Sequence, residues 1–411
     1  MNSAPMHANP AAYVFRFTTA SLSLACNKLV AFTSGRLTSW GLSAVVAGPR
    51  SAGRSGRQEG AKSLSGQRKA TSFDIAHLAG VSQPTVSRAL RGSPTVSAAT
   101  RARIEAIARQ LNYTVDRSAS NLRSGSTRTL ALLLFRDPSP DETLINPFFL
   151  GMLGSIMGAC AERGYDLLVS FQQLSSDWRT EYEDGHRADG LILLGYGDYA
   201  DYHQRLVDMA EKRTHFVRWG QVQPGQPGLT IGSDNAAGCR AATEHLIASG
   251  ARRIAFLGDR TDHYPEFKDR WRGYAEALEA AGLDRHDALQ VDAISTEEDG
   301  TRAARELLAR GKAFDGLVAA SDLIALSAMA VLADAGLRVP DDVRVVGFDD
   351  IPAAGLANPS LTTVTQDSAA AGRRLVDLLL QQIRGEPVHS QVLPTRLVVR
   401  RSSGQPAAGG E

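Results

Sequence analysis

Hydrophobic positions along this chain follow two rhythms. Between Thr71 and Tyr113 they are sparse and helical: Ile104, Ile107, Ala108 and Leu111 recur at i, i+3, i+4 and i+7, the spacing of one buried helix face. Three short helices are predicted there. Thr71 caps the first, which runs through Ala79 and stops at Gly80. Ser82 caps the second, from Gln83 to Arg91, with Pro84 tolerated in its first turn, and Ser97 caps the third.

Beyond Arg128 the rhythm changes. Short apolar runs (TLALLLF, DLLVSF, GLILLGY, RRIAFLG, GLVAAS, VRVVGF and LTTVTQ) alternate with amphipathic segments at Phe149–Arg163, Ala236–Ser249, Trp271–Ala281, Thr301–Arg310 and Leu323–Ala335. Strand–helix alternation with strands of the buried type predicts an α/β fold with parallel sheets. More than ten such elements exceed one small sheet, so two lobes are expected. A chain of 411 residues is also long for a single core.

Charge sharpens this division. Residues 1–70 hold nine Lys/Arg and one acid, residues 71–128 eight Arg and three acids, and the rest carries a net charge of −12. A basic front on an acidic body points to a polyanion-binding module joined to a unit of different purpose. Residues 1–70 show no sustained apolar period and read as a disordered or mis-annotated extension. After Met6 the next methionine is Met152, which suggests a biological start at a non-Met codon nearer Leu64. No apolar run approaches the roughly 18 residues of a membrane span. Cys26, Cys160 and Cys239 lie far apart without CxxC spacing, so neither a disulfide framework nor a zinc site is indicated, and the cytoplasm is the expected compartment.

Chemistry concentrates first in GVSQPTVSRALRG, residues 80–92. On a helix starting at Gln83, Val86, Ala89 and Leu90 pack inward while the first two turns face outward, as a recognition helix requires. Arg88 can fork onto guanine and Gln83 can pair with adenine. Thr71, Ser82, Thr85 and Ser87 suit phosphate contacts, which position without specifying. The run from Thr71 to Tyr113 closely resembles the headpiece of the LacI family of bacterial transcription regulators, through GVS–TVSR, VS–TR and the closing LNY. That resemblance implies that Gln83, Pro84 and Arg88 occupy the base-reading positions. Arg91 stands where the family usually has Asn and is a candidate for a phosphate contact or an altered turn. It further implies a hinge helix, with Ala119 and Leu122 at the minor-groove positions. Val115, Asp116 and Ser120 depart from the pattern there.

The resemblance extends to about residue 400 and implies a core similar to periplasmic sugar-binding proteins, with two lobes, three crossovers and an effector in the cleft. The matching residues are Phe148 and Phe149 in NPFF, Arg270 in DRWRGY, Ser321 and Asp322 in AASD, Asp349 in GFDD and Gln366 in TTVTQD. Each sits where a strand ends or a helix begins, where open parallel sheets bind ligands. Their chemistry suits a polyol: Arg270 donates a fork, Asp349 and Asp322 accept, and Phe149 stacks on a ring face. Ser321 replaces a frequent Asn, and Trp219 and Glu266 are further cleft candidates.

An enzymatic alternative rests on GYGDYA, residues 195–200, a G-x-G-x-x-A after a strand. It lacks the ribose-binding acid about 20 residues later, where Arg218 stands, and no P-loop, G-x-S-x-G or H-E-x-x-H is present. The sequence therefore predicts a non-enzymatic DNA-binding regulator without cofactor or metal. Its expected partners are operator DNA, a second copy of itself and a small sugar-like effector. The expected boundaries are 71–116 for the headpiece, 117–128 for the hinge and 129–403 for the core, followed by a flexible tail. Lobe one takes 129–230 and 366–390; lobe two takes 231–365 and 391–403.

Overall fold

The computed structural model describes residues 70–113, 126–135, 145–172 and 177–404. They fall into two compact units, the headpiece and the body, which takes the described residues from Ser126 onward.

In the headpiece, helices α1 (Ser72–Ala79), α2 (Gln83–Leu90) and α3 (Ala98–Gln110) close around Ile75, Val86, Ala89, Val96, Ile104 and Ala108. Thr71 and Asp74 form a reciprocal capping box at the start of α1. Gly80 ends that helix at φ 63°, a left-handed position that glycine occupies without strain. Ser97 caps α3 by accepting from the Thr100 amide. Ser82 departs from expectation: it holds the N-cap position of α2 but makes no capping bond, pairing with the Thr85 hydroxyl at 2.9 Å instead.

The body begins with β1 (Thr129–Leu134), α4 (Pro147–Glu162), β2 (Asp166–Phe171), β3 (Leu191–Leu194), α5 (Tyr199–Glu211), β4 (Phe216–Trp219) and β5 (Leu229–Ser233). It continues with α6 (Asn235–Ala248), β6 (Ile254–Leu257), α7 (Pro265–Ala280), β7 (Gln290–Val291), α8 (Glu297–Ala309), β8 (Gly316–Ala319), α9 (Asp322–Asp334) and β9 (Arg344–Asp349). The last elements are α10 (Pro352–Leu356), β10 (Thr362–Gln366), α11 (Ser368–Ile383), β11 (Gln391–Leu393) and β12 (Thr395–Val398).

Two six-stranded sheets form, in the orders β11-β5-β4-β3-β1-β2 and β12-β10-β9-β8-β6-β7. All pairings are parallel except that of β12 with β10. Every expected strand is present. The remaining strands β4, β5, β7, β11 and β12 lack a sustained apolar run, and β4 contains the buried Arg218.

The chain crosses between lobes near Asp234, Asp367 and Pro394. The expected crossings at 230/231 and 390/391 therefore shift. Strand β5 stays whole in lobe one, and β11 joins it there rather than entering lobe two. Asp234 and Asp367 each cap the helix that follows by accepting from Ala237 and Ala370 amides, so two of the three crossings end in a capped helix start. Strand and helix side chains from both lobes merge into one continuous buried cluster. Among the described residues no helix is long and apolar enough to cross a membrane.

Candidate functional sites

Helix α2 presents the headpiece candidates. Val86 and Ala89 are buried, whereas Ser82, Pro84, Arg88 and Arg91 are exposed and Thr71, Gln83, Thr85 and Ser87 are half-buried. The Arg88 guanidinium makes no hydrogen bond to the described residues, which leaves its five donors available for a base edge. Arg91 turns its Nε back to the Ser87 carbonyl at 3.1 Å. Gln83 Nε2 donates to Ser72 Oγ on α1 at 3.2 Å. The hinge candidates Ala119 and Leu122 lie outside the described residues.

The body brings its candidates together where the two sheets meet. Arg270, on the second turn of α7, is wholly buried. Its Nε donates to Asn235 Oδ1 at 2.8 Å, its Nη1 to the Ala320 carbonyl at 2.5 Å and its Nη2 to the Tyr196 hydroxyl at 3.0 Å. The guanidinium lies 3.9 Å from the Phe348 ring centroid and 3.5 Å from Asp349 Oδ1. Asp349 also accepts from Gln366 Nε2 at 2.6 Å and from Tyr196 at 3.2 Å. Burial pushes the Asp349 carboxyl up to about 6, against the pull of Arg270. Its backbone sits at φ 116° and that of Asp350 at φ 55°, conformations that non-glycine residues adopt at a cost and that cluster at functional sites.

Tyr196 comes from the end of β3 in lobe one, whereas Arg270, Asp349 and Gln366 belong to lobe two, so these bonds join the lobes. A second link runs from Asn146, the cap of α4, whose Nδ2 donates to Ser295 Oγ at 2.9 Å. Ser295 in turn donates to Ser321 Oγ at 2.8 Å. Asn146 Oδ1 holds the Phe148 amide at 3.0 Å. Phe148 and Phe149 stand beside Tyr196, and Phe148 meets Trp219 at 5.9 Å. At the edge of the lobe contact, His263 pairs with Asp198 at 2.7 Å, and its carbonyl accepts from the Tyr199 amide. The Asp198 carboxylate raises the His263 pKa above the ordinary imidazole value.

Three further candidates make bonds within the protein. Both oxygens of Asp322 are occupied within lobe two, by Thr363 Oγ1 at 2.5 Å and the Ile351 amide at 2.9 Å. Burial, then the Asp349 charge, hold its pKa well above the carboxylate range. Ser321 caps α9 through the Ile324 amide. Glu266 fixes the loop after β4 by accepting from the Gln221 amide at 2.8 Å. Tyr196, Asn235 and Ser295 escaped sequence reasoning. The signal for Tyr196 was its place at the end of an apolar strand, inside GYGDYA. The glycines of that run answer to packing, because a Cβ on Gly195 or Gly197 would meet Phe135 at 2.8 or 2.5 Å.

Residues 73–116 match the bacterial regulatory proteins of the lacI family, and residues 243–403 match a periplasmic binding protein-like domain. The HTH-type transcriptional regulator CelR of Thermobifida fusca is 35% identical over 343 residues, covering 82% of this chain and 99% of CelR. This chain belongs to the LacI family.

The ribose operon repressor of Escherichia coli K12 is 30% identical over 81% of this LacI-family chain and 99% of its own length. A structure of the CelR–cellobiose complex superimposes with a TM-score of 0.61 at 34% identity, covering 81% of this chain and 99% of that one. The Lac repressor dimer bound to operator and the anti-inducer ONPF gives a TM-score of 0.72 at 26% identity, covering 82% and 100%. The relatives are transcriptional regulators rather than enzymes, and this family member is a transcriptional regulator built on the same fold.

Proposed function

We propose that this regulator represses genes of carbohydrate uptake or catabolism. In this reading it acts in the cytoplasm as a homodimer on a two-fold operator, and a neutral sugar of one or two rings releases it. The observation that carries this reading is the cross-lobe cluster of Tyr196, Arg270, Asp349 and Gln366. The positive charge of Arg270 already faces the carboxylate of Asp349, so the ligand has no charge to supply. Vicinal hydroxyls suit such a site, because each can donate to Asp349 and accept from Arg270. Phe148, Phe149 and Trp219 offer apolar faces to the ring. Cellobiose, the ligand named with CelR, is the first sugar to test.

In this reading Arg270, Asp349 and Gln366 touch the effector, while Ser321 and Asp322 position the strand ends around it. In the headpiece, Gln83, Pro84 and Arg88 read base edges. Thr71, Ser82, Thr85, Ser87 and Arg91 hold phosphates, and Ala119 and Leu122 enter the minor groove. Effector binding replaces direct cross-lobe bonds with sugar-bridged ones, and the sugar favours the state that binds DNA poorly. A gel-shift titration of operator complexes with cellobiose and other sugars tests this. Release by one sugar supports it, and tightening would reverse the sign to co-repression. Sequence-specific binding that no sugar changes removes the effector assignment, and absence of specific binding removes the regulator itself.

A further inference from the structure

The two hydrogen-bonding base readers of α2 are held differently. The Arg88 guanidinium has no partner among the described residues, whereas the Gln83 amide is tied to α1 by the bond from its Nε2 to Ser72 Oγ. Ser72 is the first residue of α1, next to the Thr71–Asp74 capping box. The box fixes the backbone that carries Ser72, through the Thr71 amide and hydroxyl, each 2.7 Å from Asp74 Oδ2. Ser82, the neighbour that could otherwise compete for the Gln83 amide, is occupied with Thr85.

We infer that Ser72 is a positioning residue for base recognition: its hydroxyl anchors the Gln83 amide against α1 and so sharpens base preference at one operator position. The inference rests on the reading of Gln83 as a base reader. A primary amide carries an acceptor on one side and two N–H donors on the other. Adenine requires one of each in a fixed order, a donor to N7 and an acceptor for N6–H. With one Nε2–H given to Ser72, Gln83 keeps one N–H and Oε1, a single matched pair in a single order. Without Ser72 the amide turns freely about its terminal torsion, which is broad, and the pair is no longer held in one place. Ser72 therefore acts on specificity through Gln83 and contacts no base itself.

The test uses the full-length protein and a random double-stranded DNA library, with the bound fraction sequenced for the wild type and for Gln83→Ala, Ser72→Ala, Ser72→Thr and Ser72→Val. Gln83→Ala should flatten preference at one position per half-site. Ser72→Ala and Ser72→Val should weaken preference at that same position by about 3- to 10-fold, the range of one neutral hydrogen bond. Ser72→Thr should retain it. Threonine and valine share one shape, so their difference reports the hydroxyl even where the alanine variant folds poorly. Unchanged preference in Ser72→Val, or a uniform loss across all positions, overturns the role of Ser72 while leaving Gln83 as a reader. If Gln83→Ala alters no position, the reading of Gln83 falls and Ser72 with it.

Discussion

Replacing Asp349 by Asn keeps the shape of the side chain and removes its charge. In the folded protein burial raises this carboxyl from 3.8 to about 6. At about 1.4 kcal/mol per pH unit, that displacement corresponds to about 3 kcal/mol. The folded chain thus holds the proton more tightly than the unfolded chain. The contribution of Asp349 to stability is fully present below about pH 4 and is lost as pH rises to about 6. Breaking a buried ion pair ordinarily costs about 3–5 kcal/mol. That figure is not to be added, because the attraction of Arg270 is already contained in the pKa. A pair that stabilised the fold on balance would have lowered it. Asp349→Asn should therefore match the wild type near pH 4 and exceed its stability by up to about 3 kcal/mol at pH 7. Urea unfolding of both proteins between pH 4 and 7.5 measures this, followed by the fluorescence of Trp178, Trp219 and Trp271. The same variant should lose effector affinity by roughly 10- to 100-fold, as expected when a charged acceptor is removed. A variant that is less stable than the wild type at pH 7, or a stability difference that does not move with pH, refutes the reasoning.

Three other outcomes are expected. Arg88→Ala should cost about 1–3 kcal/mol at the cognate operator and relax one base position; a retained preference at every position, measured by competition binding, removes Arg88 from reading. Gly273→Ala places a Cβ 2.0 Å from the Ala236 carbonyl oxygen between α6 and α7. Instead of the gain of about 1 kcal/mol usual at an open helical glycine, chemical unfolding should show a loss of about 1–3 kcal/mol. The His263–Asp198 bond joins the lobes and raises the His263 pKa, so its charged form persists below that raised value and is lost as pH climbs through it. Effector affinity should then fall shallowly as pH climbs past the ordinary imidazole value, and calorimetric titration of His263→Ala should find this slope removed.

The sequence by itself determined the headpiece almost completely. Its helices are short and their caps are local chemistry: Thr71, Gly80 and Ser97 act on residues within three or four positions. The outward row of α2 follows from helical spacing alone. The strands with long apolar runs were equally legible, because burial on both faces leaves a compositional mark. So was the family, carried by GVS–TVSR, NPFF and GFDD at matching positions.

Tertiary structure decided what lies between elements that are distant in the chain. Strands β11 and β12 are three and four residues long and half-exposed, so their division between the sheets depends on pairing partners more than 25 residues away. Arg270 and Asp349 were visible as candidates. Their partner Tyr196 was not, since it lies 74 residues before Arg270 in a run whose glycines drew the attention. Asp322 was visible as a candidate from its place at a helix start, whereas its bonds to Thr363 and the Ile351 amide, one to each oxygen, came only with the fold. Residue type and spacing tell which groups can bond. Which of them remain free to bind a ligand is settled only when every buried donor and acceptor has found its partner.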